Sequence, residues 1–312
     1  MFLSDHCNAK ACDIKEENLI NVQSCGICGS TEFKKLIRHS SNPDINYIKC
    51  SKCGAVTFDR ILNQDAIEKM YSTDVQYYKD DDSAESGGSI TFYGSTRFAK
   101  HLLKKYKTSK KDDFRLLDFG GGDGELAYAV ARELQKKCKY NHSEIAVVDY
   151  TNKLYNTKDE KIKMQSAFPL ESIEKGEKFD IIIASGVIEH IPNPGAEVKR
   201  LFGLLNDDGI LYFRTPYIYP LRRDLQRIGI EYDSLYPAHI WDLGGKWWNN
   251  LPNYVGYTEG DIKMISSRPS VVEKSFKSHF LIALASYVLK APWFICHLWP
   301  YVGGWEAVYK KV

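Results

Sequence analysis

From Phe92 to Pro216 short apolar runs alternate with amphipathic stretches, the pattern of a parallel sheet whose strands are joined by helical crossovers. FAKHLLKKY predicts a helix ahead of the first strand, FRLLDFG that strand, and ELAYAVARELQKK the helix after its glycine turn. EIAVVDY and KIKMQSA predict the second and third strands. FDIIIASGV predicts a fourth, apolar enough to be covered on both faces. AEVKRLFGLL reads as a helix stopped by Asp208-Gly209, and ILYFRTP as a fifth strand. The terminal WEAVYKK predicts a strand added at a sheet edge, while 216–260 is irregular and rich in Trp, Tyr and Pro, as a substrate-side insertion would be. The fold class expected is α/β, a doubly wound, mostly parallel sheet.

Ahead of that pattern the periodicity is different. Residues 1–21 are polar and predict a flexible N-terminus. Residues 22–60 hold short β-like runs (YIKC, AVTF), and 61–91 read as a helical connector, QDAIEKMY, followed by the acidic KDDDSAESGGS of a flexible linker or lid. The expected organisation is therefore a small unit at 22–60, the connector at 61–91 and a large domain over 92–312.

The 22–60 unit contains four of the eight cysteines, as Cys25-Gly-Ile-Cys28-Gly and Cys50-Ser-Lys-Cys53-Gly. Two CxxC turns about twenty residues apart bring four thiolates together as a closed tetrahedral site. Cys25, Cys28, Cys50 and Cys53 are thus expected to hold a structural Zn2+ in a zinc ribbon, with His39 as a substitute ligand or simply a surface histidine. Paired thiols and an N-terminus, MFLSDHCNAK, without a basic start or long apolar run predict a reducing, cytoplasmic setting. A net charge of +2 over 312 residues gives no positive excess for a polyanion, so a nucleic-acid partner is not expected. The run at 280–299, FLIALASYVLKAPWFICHLW, has the length of a membrane span. Lys290 and Pro292 interrupt it and predict two shorter pieces, packed on the sheet or lying peripherally on a membrane face.

The chemistry begins at Asp118-Phe-Gly120-Gly-Gly122-Asp-Gly124, between a strand and a helix. Glycines there permit a tight turn and close approach of a ligand to the helix N-terminus. An acid two residues before the first glycine has no use for a pyrophosphate but suits a cation such as the amino group of a methionine moiety. Asp149, about twenty-five residues beyond the glycines, is placed to accept ribose hydroxyls. These residues, with VVDY and FDIIIASGVIEHIPNP, resemble the class I S-adenosylmethionine methyltransferases, over about 92–215 and the chain end. The resemblance implies a Rossmann-like domain that binds S-adenosylmethionine through Asp118, Gly120, Gly122, Gly124 and Asp149. Ser166 and Ala167 stand where the family often has an acid near the adenine. Tyr150 and Ser185 join them as cofactor-side candidates.

Methyl transfer needs an aligned nucleophile, deprotonated if it is a hydroxyl. His190 is the first candidate base, with Glu189 orienting it or acting itself, although an EH pair shared by enzymes with unlike substrates is equally a structural feature. His239 is either substrate-facing or a core histidine. Arg214, Arg222 and Arg223, near Arg227, form the one basic cluster on the expected substrate side; they suit an anionic group, while LRRDLQRIG also fits a solvated helix face carrying Asp224 as a partner. Tyr93 is either a residue closing over the cofactor or a packing tyrosine. The ribbon, the Tyr-rich MYSTDVQYY and this core together look like bacterial methyltransferases of sugar and surface-glycan pathways, including sugar C-methyltransferases. Those carry a further C-terminal domain that is not expected here. The implied acceptor is a sugar, nucleotide-sugar or glycan precursor, methylated at oxygen or carbon. The alternatives are an RNA base methyltransferase and a non-catalytic interaction protein that binds the cofactor.

Overall fold

The computed structural model describes residues 14–70, 95–104, 113–138, 140–150, 154–167, 169–173, 176–230, 236–270 and 280–312. The Tyr-rich segment, the acidic linker and Tyr93 lie outside the described residues, as do Cys7 and Cys12.

The N-terminal unit contains β1 (Leu19–Asn21), β2 (Phe33–Ser41), β3 (Asp44–Cys50), β4 (Val56–Phe58) and β5 (Arg60–Leu62). β1 pairs antiparallel with β5, clasping the two ends of the unit. The large domain follows with β6 (Asp113–Phe119), β7 (His142–Val148), β8 (Ile162–Ser166), β9 (Phe179–Ser185), β10 (Leu205–Tyr217), β11 (Trp241–Asp242), β12 (Ile262–Pro269) and β13 (Gly303–Lys311). Seven of these strands form one sheet in the order β12-β13-β10-β9-β6-β7-β8. β6 lies between β7 and β9, so the chain reverses direction across the sheet at the β6–β9 boundary. Ligands of open α/β sheets bind at the carboxyl edge of that boundary.

Alternation along the strands sorts the side chains into two cores. Leu116, Ile181, Ile183 and Tyr212 pack with the helices Ser95–Leu103 and Glu125–Cys138 on one face. Leu117, Ile182, Leu211 and Phe213 face the other way, into a cluster that includes Trp247, Trp248 and the N-terminal unit's Ile45, Tyr47 and Phe58. Ile181, Ile182, Ile183 and Ala184 are 0% exposed, so β9 is covered on both sides, as its unbroken apolar run predicts. Burial of each large apolar side chain stabilises the fold by ~1.5–3 kcal/mol.

Two expectations need correction. WEAVYKK is not at an edge: β13 runs antiparallel between β10 and β12. The edge is β12, IKMISSRP, a largely half-buried strand without the continuous apolar signal of the central ones. The helix after β9 spans Pro194–Gly203 and ends before Asp208-Gly209. Leu205 already pairs with Phe179, and Asp208-Gly209 form an irregularity inside β10, with Asp208 at φ 65°.

The small sheet has the order β11-β4-β3-β2, so its fourth strand comes from the large domain. Trp241 and Asp242 pair with Thr57 and Val56, and the Thr57 hydroxyl donates to the Ile240 carbonyl at 2.7 Å. Within 280–299, Phe280–Lys290 is helical and Ala291–Phe294 forms a short 3-10 turn, the break falling where Pro292 predicts it. Among the described residues no helix is long and apolar enough to cross a membrane.

Candidate active site

The glycine turn sits at the end of β6. Gly120, Gly122 and Gly124 adopt φ values of 70°, 59° and 84°, a region in which side chains with a Cβ are strained. The Gly120 amide donates to the Val148 carbonyl at 2.8 Å, and the Gly122 amide donates to Asp149 Oδ2 at 2.8 Å. Asp149 therefore ties the turn to the end of β7 as well as facing the ligand edge. The space at Gly124 is taken by protein: a Cβ there would stand 2.6 Å from Met164 Cε and 2.7 Å from Val147 Cγ2. Its role is close packing of the helix on β7 and β8. The Asp123 carboxylate caps the helix Glu125–Cys138 by accepting from the Glu125 amide at 3.0 Å.

Asp118 is 2% exposed and its Oδ2 has no hydrogen-bond partner. Burial, together with repulsion from Asp149 and Asp123, pushes its carboxyl up to about 7, against a backbone bond from Ala127. Leaving a buried carboxylate oxygen unpaired costs ~1–3 kcal/mol or more; a cationic group at this point removes that cost. The donor set fits S-adenosylmethionine, with Asp118 for its amino group. Ala167 lies just after β8, its amide bonded to the Val147 carbonyl, and Ser166 ends that strand exposed. Tyr150 is 53% exposed beside Asp149, and Ser185, ending β9, has a buried hydroxyl oxygen without a partner.

Glu189 and His190 lie in the one-turn segment Ile188–His190 directly after β9. Glu189 is 1% exposed, its Oε2 has no partner, and burial pushes its carboxyl up to about 8 despite the nearby Arg214 charge. The His190 Nδ1–H donates to the Ala238 carbonyl at 2.9 Å, the Gly186 backbone also bonds the ring, and Nε2 lies 4.0 Å from Glu189 Oε1. Burial pulls His190 down to about 4, so its ring is neutral near pH 7. The His239 ring stands edge-on to it, centroids 4.4 Å apart, and is held well below the usual imidazole range by burial. One segment carries the second histidine and the backbone partner of the first, because the Ile240 amide also donates to the Glu189 carbonyl at 2.9 Å.

The arginines divide. Arg214 lies three residues before the end of β10, in register with Ser185, the last residue of β9. Arg222 is 8% exposed with its guanidinium 5.2 Å from the Tyr47 ring centroid, so it is not on the solvated face of its helix. Arg223 pairs with Asp224 at 2.8 Å, and Arg227 with the same carboxylate at 3.1 Å. Asp224, also bonded by Tyr301, takes the charge offered by this helix. Sequence reasoning missed Asp242, whose buried carboxylate accepts from the Ile218 and Tyr219 amides at 2.8 Å. It also missed the Ala238 carbonyl, since a backbone acceptor leaves no residue-type signal.

The four cysteines converge: Cys25 Sγ lies 3.6 Å from Cys53 Sγ, and Cys28 Sγ 3.6 Å from Cys50 Sγ. Gly29 and Gly54, at φ 71° and 76°, return their amides to the Cys25 and Cys50 carbonyls, closing the two knuckles. The sulfurs form one potential ligand set, without His39, which packs among Tyr47, Phe58 and Tyr236. The first knuckle touches the segment after His190. The Gly195 amide donates to the Gly26 carbonyl at 3.0 Å, and a Cβ on Gly26 would stand 2.3 Å from the Pro192 oxygen. Trp241 Nε1 completes the contact by donating to the Ile191 carbonyl at 2.8 Å.

The chain is similar to several known methyltransferases. A ubiquinone biosynthesis O-methyltransferase of Xanthomonas campestris pv. campestris is 30% identical over 131 residues, covering 38% of this chain and 49% of that protein. The match thus spans about half the length of that relative. The plantazolicin methyltransferase BpumL in complex with SAH covers 80% of this chain and 98% of its own at 14% identity, with a TM-score of 0.46. The CurJ carbon methyltransferase covers 70% and 53% at 16% identity, with a TM-score of 0.41. A family model described as a methyltransferase domain matches residues 93–251, just over half of the chain and the stretch that holds both the glycine turn and the Glu189–His190–His239 cluster. The chain belongs to this methyltransferase-domain family.

Proposed function

We propose that the acceptor is a polyhydroxylated small molecule, a sugar, nucleotide-sugar or glycan precursor, and that its proton leaves at the Glu189–His190–His239 cluster. The supporting observation is the set of unpaired polar atoms at the ends of β9 and β10 and in the segments at 188–190 and 238–240. Ser185 Oγ, Glu189 Oε2, Thr215 Oγ1 and His239 Nδ1 are all buried without a partner. Such atoms are normally satisfied; a ligand with several hydroxyls supplies the partners, and an apolar one leaves the cost in place. S-adenosylmethionine supplies an electrophilic methyl carbon when bound. Asp118 would hold its amino group, Asp149 the ribose hydroxyls, and Ser166 and Ala167 would stand beside the base. Arg214 would meet an anionic group on the acceptor. The four cysteines would hold a structural zinc ion, since a closed set of thiolates leaves no position for a substrate, and a reducing, cytoplasmic setting would keep them available.

A second acceptor class has one observation in its favour. Leu281, Leu284, Val288, Phe294, Ile295 and Leu298 are 41–92% exposed, in the connection between the end of β12 and the start of β13. A peripheral lipid contact there would suit a lipid-linked glycan precursor or an apolar phenol. The RNA alternative is disfavoured by the near-neutral charge and by a cysteine unit whose sheet is completed by the large domain.

The test is methyl transfer from labelled S-adenosylmethionine to three acceptor panels: nucleotide-sugars and glycan precursors, phenols, and RNA. Turnover in the first panel, with a fall of at least about a hundredfold in His190→Ala, is the expected result. Turnover confined to phenols or RNA would overturn the sugar reading. Tight S-adenosylhomocysteine binding without turnover on any panel would favour the interaction protein.

A further inference from the structure

The Glu189–His190–His239 cluster has more ligating capacity than a single proton transfer uses. One ligand atom from each of the three residues lies within 4.8 Å of the other two. Two of these residues carry a buried atom without a partner, Glu189 Oε2 and His239 Nδ1. The third residue is anchored: the His190 Nδ1–H is committed to the Ala238 carbonyl, turning Nε2 toward the Glu189 carboxylate at 4.0 Å. A carbonyl bonded to the far nitrogen is the usual way a metal-ligating imidazole is oriented. The Ile240 amide fixes the Glu189 backbone from the segment that carries His239, so the carboxylate and both rings share one frame.

We propose that Glu189, His190 and His239 form a binding site for one divalent transition-metal cation, separate from the four-cysteine site. One carboxylate and two imidazoles favour zinc, cobalt, nickel or iron over magnesium or calcium, which take oxygen ligands. Three protein ligands leave a coordination position open, as catalytic sites do and four-thiolate sites do not. An acceptor hydroxyl bound there would lose its proton to solvent more readily, as metal-bound water does, so that the cluster would promote proton loss as ligands of the metal and not as the base itself. Its oxygen would then form the bond to the methyl carbon as the carbon–sulfur bond breaks, releasing neutral S-adenosylhomocysteine.

This inference rests on the proposed acceptor site but is tested without turnover. Protein with its four-cysteine site loaded with zinc is titrated with cobalt(II) by calorimetry and visible absorption, beside Glu189→Gln and His239→Ala. S-adenosylhomocysteine binding serves as the check that each variant is folded. The expected result is one further cobalt per chain in the wild type, without a thiolate charge-transfer band, and an affinity at least about tenfold weaker in both variants. Equal cobalt binding by wild type and both variants, or binding only with the thiolate band, would overturn the site. If His239→Ala does not fold, Glu189→Gln alone decides, because it keeps the side chain's size. Methyl transfer that proceeds undiminished in metal-stripped, zinc-ribbon-intact protein would overturn the catalytic role while leaving the proposed acceptor standing. Cobalt binding with no acceptor turned over would instead sink the acceptor and leave the metal site standing.

Discussion

On the β6–β7 side of the ligand edge, the groups proposed to hold the cofactor come from one stretch, Asp118 to Asp149, and the turn is held by bonds within it. On the β9–β10 side the groups come from Glu189, His190, Arg214 and His239, and the segments that carry them lean on the N-terminal unit through Gly26, Thr57 and Trp241. The first half of the site is self-supporting; the second is only as rigid as the four-cysteine unit beneath it. Damage to that unit should therefore strike acceptor chemistry harder than cofactor binding.

The largest effect expected is from Cys50→Ser or chelation. Structural zinc contributes on the order of 10 kcal/mol in small domains, so the ribbon should unfold, with methyl transfer abolished and S-adenosylhomocysteine affinity, read by calorimetry, falling much less. Equal loss of both would break the comparison. Gly124→Val is the converse experiment. With φ at 84° and Met164 and Val147 in the way, it should cost about 2–4 kcal/mol and remove cofactor binding, while metal content by elemental analysis stays unchanged.

Asp118→Asn should weaken S-adenosylmethionine about tenfold to a hundredfold, the value of a hydrogen bond to a charged group. It also carries a pH signature. The folded-state carboxyl is raised to about 7 from 3.8, so the native state without cofactor binds a proton that the unfolded chain has released. Wild-type stability relative to the Asn variant should fall as pH rises from about 4 through 7, then level off; melting temperatures across that range are the measurement. The smallest effect belongs to Trp241→Phe, which removes one bond to Ile191. About 1 kcal/mol of stability and a raised acceptor KM are expected, with cofactor affinity unchanged; a change in cofactor affinity would blur the distinction between the halves.

Legibility in the sequence follows the same division. The parallel sheet, the glycine turn, Asp149 and the paired cysteines are local patterns, and local patterns survive in one dimension. β9 was readable because burial on both faces leaves an unbroken apolar run. β12 was not, because a half-buried edge strand has no such run, and missing it misassigned β13 to the edge. The role of Arg222 was hidden because its partner, Tyr47, is chosen by packing, whereas the Asp224 partner of Arg223 was already legible on the helix face. His239 carried no local signal to decide between core and site; its ring contact with His190 spans two segments that only the fold brings together.

The β4–β11 pairing also sets an order of events during synthesis. β2, β3 and β4 leave the ribosome early, yet the strand that covers β4 follows 183 residues behind Thr57, measured to Ile240. At 5–20 residues per second the interval is roughly 10–40 s. Throughout it the nascent ribbon would present an open strand edge of the kind that recruits other chains. The protein is therefore most vulnerable to aggregation while it is half made, and metal captured early by the cysteines would act first as a co-translational brace.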